Sequence, residues 1–213
     1  MCAFSPKLDL PPLYSILDPE QTRSLSSPEV LRRLLDGGVR LLQLRAKSLS
    51  SREFLRLALE ARELTHVADC RLVINDRVDI ALACSADGVH LGQEDLPLEG
   101  ARKLTREKIV GISTHDIAQA RQAERDGADY IGFGPIFGTK TKDTGYAARG
   151  LAMLAEIRQA VKLPIVAIGG ITEANAREVW QAGADSVAII SDILSASAIA
   201  KKVERILSLY PAS

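Results

Sequence analysis

The sequence predicts an α/β protein, a single-domain (β/α)8 barrel (TIM barrel), and three observations lead to this fold class. Short apolar segments alternate with helical patterns along the whole 213-residue chain. The apolar segments run continuously, which is typical of strands covered on both faces of a parallel sheet. Eight strand–helix units fit into about 200 residues, the size of a compact barrel. A doubly wound open sheet is the alternative, and it would bind ligands where its strand order reverses.

Each element follows from its local pattern. The predicted strands are Leu13–Leu17, Arg40–Arg45, Arg71–Asn75, Gly88–Gly92, Ile109–Ser113, Tyr130–Ile136, Pro164–Gly169 and Ser186–Ser191. The clearest predicted helices are Arg52–Val67, Ile117–Asp126, Leu151–Val161, Ala174–Ala182 and Ala198–Leu209. Asp116 and Thr172 stand where helix N-caps are expected. A small-residue joint such as Gly183-Ala184-Asp185 precedes several strands, since glycine ends a helix readily and two or three residues re-enter the sheet.

Composition excludes several classes of protein. The chain has 27 basic and 27 acidic residues, so it lacks the basic excess of a general nucleic-acid or membrane binder. Its three cysteines are odd in number and show no CxxC spacing, which argues against a disulfide framework and fits a cytoplasmic protein. Neither a secretion signal nor a membrane span is recognisable. We expect one catalytic domain over residues 1–213, with residues 1–12 as an N-terminal extension; the sequence leaves homo-oligomer formation open.

In a barrel, functional side chains lie at the carboxyl ends of the strands. Gln43, Arg45 and Lys47 alternate along the end of the second strand, so they point in one direction. An amide and two cations in this place favour an anionic ligand, with Arg45 able to hold phosphate oxygens bidentately. Equally, these three residues could be the solvated end of a strand with no ligand.

Two carboxylates end neighbouring units and point to a metal. Asp76 follows the third strand and Asp95 follows the fourth, so both reach one cavity of a barrel. Mg²⁺ prefers one or two carboxylates together with water and phosphate oxygens. The alternative for Asp76, equally compatible with its position, is the N-cap of the next helix.

Hydroxyls and glycines at the later strand ends favour a phosphate ligand. Ser113 ends the fifth strand, where its hydroxyl can donate to phosphate or bond its own backbone. His90 and His115 are interpreted as structural donors. The segment 134–146 contains hydroxyls and two lysines, which suits a lid over phosphate or a plain exposed loop. Gly169-Gly170 and Ile190-Ser191 end strands seven and eight, where many barrels bind phosphate.

Six segments in register resemble the thiamine phosphate synthase (thiamine-phosphate pyrophosphorylase) family. They are QLRAK, VINDRVDIALACSADGVHLGQEDLP, VGISTH, GADYIGFGPIFGTKTK, VAIGGI and VAIIS, and together they span nearly the whole chain. The resemblance implies a transferase that couples 4-amino-5-hydroxymethyl-2-methylpyrimidine diphosphate to a thiazole phosphate, or to its carboxylated form, and releases pyrophosphate with Mg²⁺ as cofactor. It also implies a barrel fold and small-molecule substrates as the partners.

The resemblance also assigns residues to each ligand. It places the pyrimidine diphosphate on Gln43, Leu44, Arg45, Ala46, Lys47, Asn75, Ser113 and Lys142. It places the thiazole phosphate on Thr139, Lys140, Thr141, Gly169, Gly170, Ile190 and Ser191. Mg²⁺ falls to Asp76 and Asp95, and catalysis falls to Ser113, Lys142, Arg45 and Lys47. Asp18 receives no role, because the first strand departs from the commoner family pattern of two hydrophobic residues before Thr-Asp.

Other functions stay open on the sequence alone. A thiazole tautomerase shares the barrel, but it resembles this chain less, because that branch has a histidine where Pro135 stands here. A non-catalytic sensor of thiamine intermediates would not need Asp76 and Asp95. A sugar-phosphate isomerase would need a base inside the barrel, and none can be named.

Overall fold

The computed structural model describes residues 8–138 and 147–211, and its strands close into a barrel. All eight neighbouring pairs are parallel, β1 pairing with β2 and with β8, so the doubly wound alternative is wrong. The strands are β1 (Leu13–Leu17), β2 (Leu41–Leu44), β3 (Arg71–Asn75), β4 (Gly88–Leu91), β5 (Ile109–Thr114), β6 (Tyr130–Phe133), β7 (Ile165–Ile168) and β8 (Ser186–Ile189).

Helices surround the barrel and follow the strands in turn. They are α1 (Ser27–Asp36), α2 (Ser51–Val67), α3 (Val78–Ala83), α4 (Leu98–Thr105), α5 (Ile117–Arg125), α6 (Gly150–Ala160), α7 (Ala176–Gln181), α8 (Ser191–Leu194) and α9 (Ile199–Ser208). Within the described ranges, none of these helices has the length and apolar character needed to cross a membrane.

Side chains alternate along each strand between two cores. On β1, Tyr14 and Ile16 belong to a small cluster inside the barrel, whereas Leu13 and Leu17 join the larger cluster under the helices. This alternation is the period of two that a strand imposes. It decides which residues near a strand's end face the mouth of the barrel.

The joints between helix and strand carry a repeated aspartate clamp. Asp129, which precedes β6, accepts hydrogen bonds from the backbone N–H of Val110 and from Arg102 of α4, both at 2.7 Å. Two further aspartates repeat the pattern. Asp87 accepts from Leu72 and Arg62, and Asp185 accepts from Ile165 and Arg158. The three clamps tie alternate units at the amino end of the barrel, opposite the strand ends that carry the predicted site.

The predicted boundaries deviate in identifiable places. β6 ends at Phe133 and not at Ile136, because Pro135 has no N–H to offer a strand ladder. Asp116 is confirmed as an N-cap, since its carboxylate accepts from the N–H of Gln119 at 2.8 Å. The prediction for Thr172 was wrong: α7 begins later, at Ala176, and the side chain of Asn175 accepts from the N–H of Thr172 instead.

Candidate active site

A cavity of about 560 Å³ opens at the carboxyl ends of the strands. Side chains from both halves of the barrel line it, and it contacts eight of the thirteen predicted site residues that the structure describes; Lys47, Asp76 and Asp95 are outside its lining. The predicted residues that line it are Gln43, Arg45, Asn75, Ser113, Gly169, Gly170, Ile190 and Ser191. The cavity also contacts residues that the sequence analysis did not assign to a ligand, among them Tyr14, Asp18, His90 and His115.

Arg45 is held by an aspartate that the sequence analysis left unassigned. Asp18 is only 3% exposed and follows β1, and its carboxylate pairs with the guanidinium of Arg45. Its other oxygen accepts from the N–H of Glu20 at 3.1 Å. Because the carboxylate is fixed at both oxygens, Asp18 fixes the direction of Arg45 at the cavity wall.

Three further residues of the segment 43–47, which carries Gln43 and Arg45, do not line the cavity. Leu44 and Ala46 are buried in the core between strands and helices, so only their backbone can reach a ligand. Lys47 is about half exposed, and its ammonium lies 3.0 Å from the carboxylate of Asp76. The structure therefore places Lys47 next to the carboxylate pair described below.

Asp76 and Asp95 are neighbouring carboxylates, and each affects the pKa of the other. Burial and the neighbouring Asp76 carboxylate raise the pKa of Asp95. Burial also opposes ionisation of Asp76, but hydrogen bonds from Asp95 and Lys47 lower its pKa. Two neighbouring carboxylates repel each other when both are ionised, and a cation between them relieves that repulsion. The alternative N-cap role for Asp76 is wrong, because α3 begins after Arg77 without a side-chain cap.

The backbone around this pair is specialised. Asp76 has φ +62, a left-handed conformation that is uncommon outside glycine. Its N–H donates to the carbonyl of His90 at 2.8 Å, and Asp95 accepts from the N–H of Gly92 at 2.6 Å. Two neighbouring carboxylates are oxygen ligands of the kind that Mg²⁺ prefers. Among the described residues, no cluster of three or more His, Cys, Asp or Glu competes as a metal site.

Ser113 and the two histidines have defined partners. The Ser113 hydroxyl lies 2.9 Å from Nε2 of His90, so it does not bond its own backbone as the alternative had it. Nδ1 of His90 lies 2.9 Å from the hydroxyl of Tyr130. His115 donates from Nδ1 to the carbonyl of Gly134 at 2.7 Å. The interpretation of His115 as a structural donor agrees with this contact.

The opposite wall is built from backbone. Gly169 and Gly170 have φ of +102 and +64, and a Cβ on Gly170 would lie 2.6 Å from the carbonyl oxygen of Gly138. Ile190 precedes α8, which begins at Ser191, and both residues line this wall. Glycine is therefore needed here both for conformation and for close approach.

Ion pairs hold this wall in place. Asp192 of α8 accepts from the N–H of Glu173 at 2.8 Å, which joins the loop after β7 to the loop after β8. Lys202 of α9 lies 2.9 Å from both carboxylates. Arg205 adds a second cation to Glu173.

Four predicted residues, Thr139, Lys140, Thr141 and Lys142, lie outside the described residues, so their predicted roles stay predictions.

Comparison with known proteins decides the family. The family model described as thiamine monophosphate synthase matches residues 13–193. The chain belongs to the thiamine monophosphate synthase family. It is therefore a transferase of thiamine biosynthesis, and the resemblance drawn from its motifs is confirmed.

Individual members of the thiamine monophosphate synthase family agree over most of their length. A thiamine-phosphate synthase of Chloroflexus aurantiacus is 46% identical over 92% of this chain and 91% of its own. One from Moorella thermoacetica is 47% identical over 91% and 93%. The solved thiamine phosphate pyrophosphorylase of Pyrococcus furiosus is 36% identical, with a TM-score of 0.86 over 93% of this chain and 95% of that one. A 3-hexulose-6-phosphate synthase at 16% identity and TM-score 0.69 shares the fold alone.

Proposed function

We propose that the chain joins 4-amino-5-hydroxymethyl-2-methylpyrimidine diphosphate to 4-methyl-5-(2-phosphoethyl)thiazole, or to its carboxylated form, and releases pyrophosphate. The observation that carries the proposal is the division of one cavity into two unlike walls. Arg45, Asn75 and Ser113 offer polar side chains on one wall, and Gly169-Gly170 with Ile190-Ser191 offer backbone on the other. Two phosphate-bearing substrates need two such sets of donors.

The chemistry asks for positioning and charge neutralisation. The bond between the pyrimidine methylene carbon and the diphosphate oxygen breaks, and its electron pair leaves with pyrophosphate. The electron-rich aminopyrimidine stabilises the resulting cation, and the thiazole nitrogen donates its lone pair to form the new C–N bond. Arg45 and Lys47 neutralise charge on the departing group, and the cavity holds both rings in line.

Mg²⁺ completes the proposal. Asp76 and Asp95 would hold the ion, which supplies Lewis-acid stabilisation of the departing pyrophosphate when bound. A divalent cation held by both carboxylates would offset the repulsion from Asp76 that helps to raise the pKa of Asp95. Lys47, whose ammonium lies 3.0 Å from the Asp76 carboxylate, would provide a second positive charge beside the ion. Lys142 is proposed to act with Ser113 on the same substrate, and Thr139–Thr141 on the thiazole phosphate.

We further propose a cytoplasmic location, which the two buried free thiols Cys70 and Cys84 support. The small-molecule substrates are the only partners the proposal needs, and self-association of the chain is compatible with it.

Purified protein incubated with both substrates and Mg²⁺ tests the function. We expect equal amounts of thiamine phosphate and pyrophosphate, separated by chromatography and identified by mass, and no product in excess EDTA. The variant Asp79→Asn should keep the wild-type activity, because Asp79 is an exposed carboxylate paired with Arg77 away from the cavity. Isomerisation of the thiazole phosphate without pyrophosphate release would favour a tautomerase. Binding of both ligands without turnover would favour a sensor.

A further inference from the structure

A buried chain of hydrogen bonds crosses the interior of the barrel and ends at the cavity. It runs from Gln43 on β2 through Tyr14 on β1, Tyr130 on β6 and His90 on β4 to Ser113 on β5. The successive donor–acceptor distances are 3.0, 2.9, 2.9 and 2.9 Å. The first four side chains are at most 8% exposed. Polar groups buried this deeply constrain each other's hydrogens.

The direction of donation can be followed from one end. Nε2 of Gln43 donates to the hydroxyl of Tyr14, so the single hydrogen of Tyr14 is available to Tyr130. Tyr130 then donates to Nδ1 of His90, which leaves the imidazole hydrogen on Nε2. That N–H donates to the oxygen of Ser113.

The last hydrogen of the chain is therefore that of Ser113. Since its oxygen accepts from His90, its own O–H is left to donate toward the cavity, which Ser113 lines. Burial raises the pKa of both tyrosine hydroxyls, so they keep their hydrogens at neutral pH.

The strands make room for these rings. Tyr130 passes over Gly111, where a Cβ would lie 2.0 Å from Cζ of the tyrosine. The ring of His90 passes over Gly132, where a Cβ would lie 3.0 Å from Cε1. His90 and Tyr130 stack with their ring centroids 5.5 Å apart. Two inward glycines on neighbouring strands thus leave the space that both rings occupy in the chain of hydrogen bonds.

We propose that His90, Tyr130 and Tyr14 are positioning residues that act through Ser113: they hold His90 as the Nε2–H tautomer and so fix the Ser113 hydroxyl as a donor to the diphosphate substrate. The proposal rests on the proposed function for the identity of that substrate. The chain itself, and the tautomer it imposes, are properties of the free protein.

Nitrogen NMR of histidine-labelled protein tests the tautomer without turnover. The chain has three histidines, and His66→Gln and His115→Gln assign the signals. We expect the protonated nitrogen of His90 to be Nε2 in the wild type, and Tyr130→Phe to yield a mixture of tautomers because Nδ1 loses its donor. A wild-type His90 protonated at Nδ1 would overturn the proposal, whether or not the protein turns over substrate.

A double-mutant cycle tests whether the residues act through Ser113. Tyr130→Phe should lower kcat roughly tenfold while the KM for the thiazole phosphate stays within about twofold, and it should have almost no effect in a Ser113→Ala background. His90→Gln, which keeps a donor near Ser113, should retain more activity than His90→Leu. Tyr210→Phe, on the outside of the barrel against Trp180, is the matched control.

If the losses of kcat in Tyr130→Phe and Ser113→Ala were fully additive in the double variant, Tyr130 would support the fold and would not act through Ser113. Wild-type protein without turnover would refute the proposed function, and the NMR result would still decide the tautomer. If Tyr130→Phe did not fold, Tyr14→Phe would interrupt the same chain one step earlier and take its place in both measurements.

Discussion

At the scale of single residues, Asp76 shows how the backbone decides between two roles for one side chain. Its position after a strand fits an N-cap and a metal ligand equally well. A left-handed φ of +62 turns the carboxylate toward Asp95 and Lys47 instead of the first turn of α3. Such a conformation costs about 1 kcal/mol or more and persists only where the surroundings fix it. The bond from its N–H to His90 is one such constraint.

The first prediction follows from this conformation. Asp76→Asn should preserve the backbone, because asparagine also tolerates a left-handed φ, and should remove the charge that binds Mg²⁺. We expect kcat/KM to fall roughly a hundredfold, about 3 kcal/mol, and half-saturation to need more Mg²⁺. Steady-state kinetics in a Mg²⁺ titration measure both effects. An unchanged Mg²⁺ dependence, equal to that of Asp79→Asn, would remove Asp76 from the metal site.

At the scale of elements, the sequence predicts long and strongly patterned segments best. β1 and β3 match their predicted bounds, because each is a continuous apolar run followed by polar residues. α1, α3, α4 and α8 are not among the helices bounded from the sequence, and the four residues of α8 are too few to show a helical period. The chain of hydrogen bonds was also missed. Its tyrosines appear in the sequence as ordinary strand formers, and only the inward glycines of β5 and β6 signal the space for them.

The aspartate clamps give the second prediction. Asp129→Ala removes the acceptor of the Val110 N–H and the partner of Arg102 at a partly buried joint. We expect the free energy of unfolding to fall by about 2–3 kcal/mol, the cost of leaving such donors unsatisfied. Denaturant unfolding measures the change, and kcat should stay near wild type because the clamp lies at the opposite end of the barrel. Asp126→Ala, on the surface nearby, is the control, and an equal loss in both variants would contradict the argument.

The third prediction concerns the ion pairs of Glu173, which support the cavity wall formed by Gly169 and Gly170 (the glycine wall). Hydrogen bonds from Arg205 and Lys202 lower the pKa of Glu173 to about 2. A lowered pKa stabilises the fold above the ordinary value near 4.5, and the contribution is lost as pH falls toward 2. Wild type should therefore exceed Glu173→Gln in stability by about 1 kcal/mol at pH 6, and less at pH 3 or in high salt. Denaturant unfolding of both proteins, with Glu178→Gln as control, measures the gap; a gap that widens at low pH would refute the mechanism.

At the scale of the whole molecule, the closed barrel brings together residues that lie far apart in the sequence. Gln43, Ser113 and Gly170 stand on three different strand ends, yet they line one cavity. The sequence predicts this meeting because parallel strands that close a barrel must end at one rim. Alternation along β2 explains why Leu44 is buried on the face opposite Gln43, but it does not determine the contacts of a side chain past the strand's end, where Lys47 pairs with Asp76.

The two-walled cavity gives the last prediction, in which damage to one wall leaves the other substrate's binding intact. Gly170→Ala should raise the KM for the thiazole phosphate at least roughly tenfold, since a Cβ there meets the Gly138 carbonyl at 2.6 Å and shifts the wall. The KM for the pyrimidine diphosphate should stay within about twofold, because its proposed donors stand on β2, β3 and β5. Gly127→Ala isolates the cost of a positive φ, +83, at the far end of the barrel with open space around the new methyl. It should lower stability and change neither KM. If Gly170→Ala raised both KM values equally, the cavity would act as one undivided site, and the assignment of the glycine wall to the thiazole phosphate would be wrong.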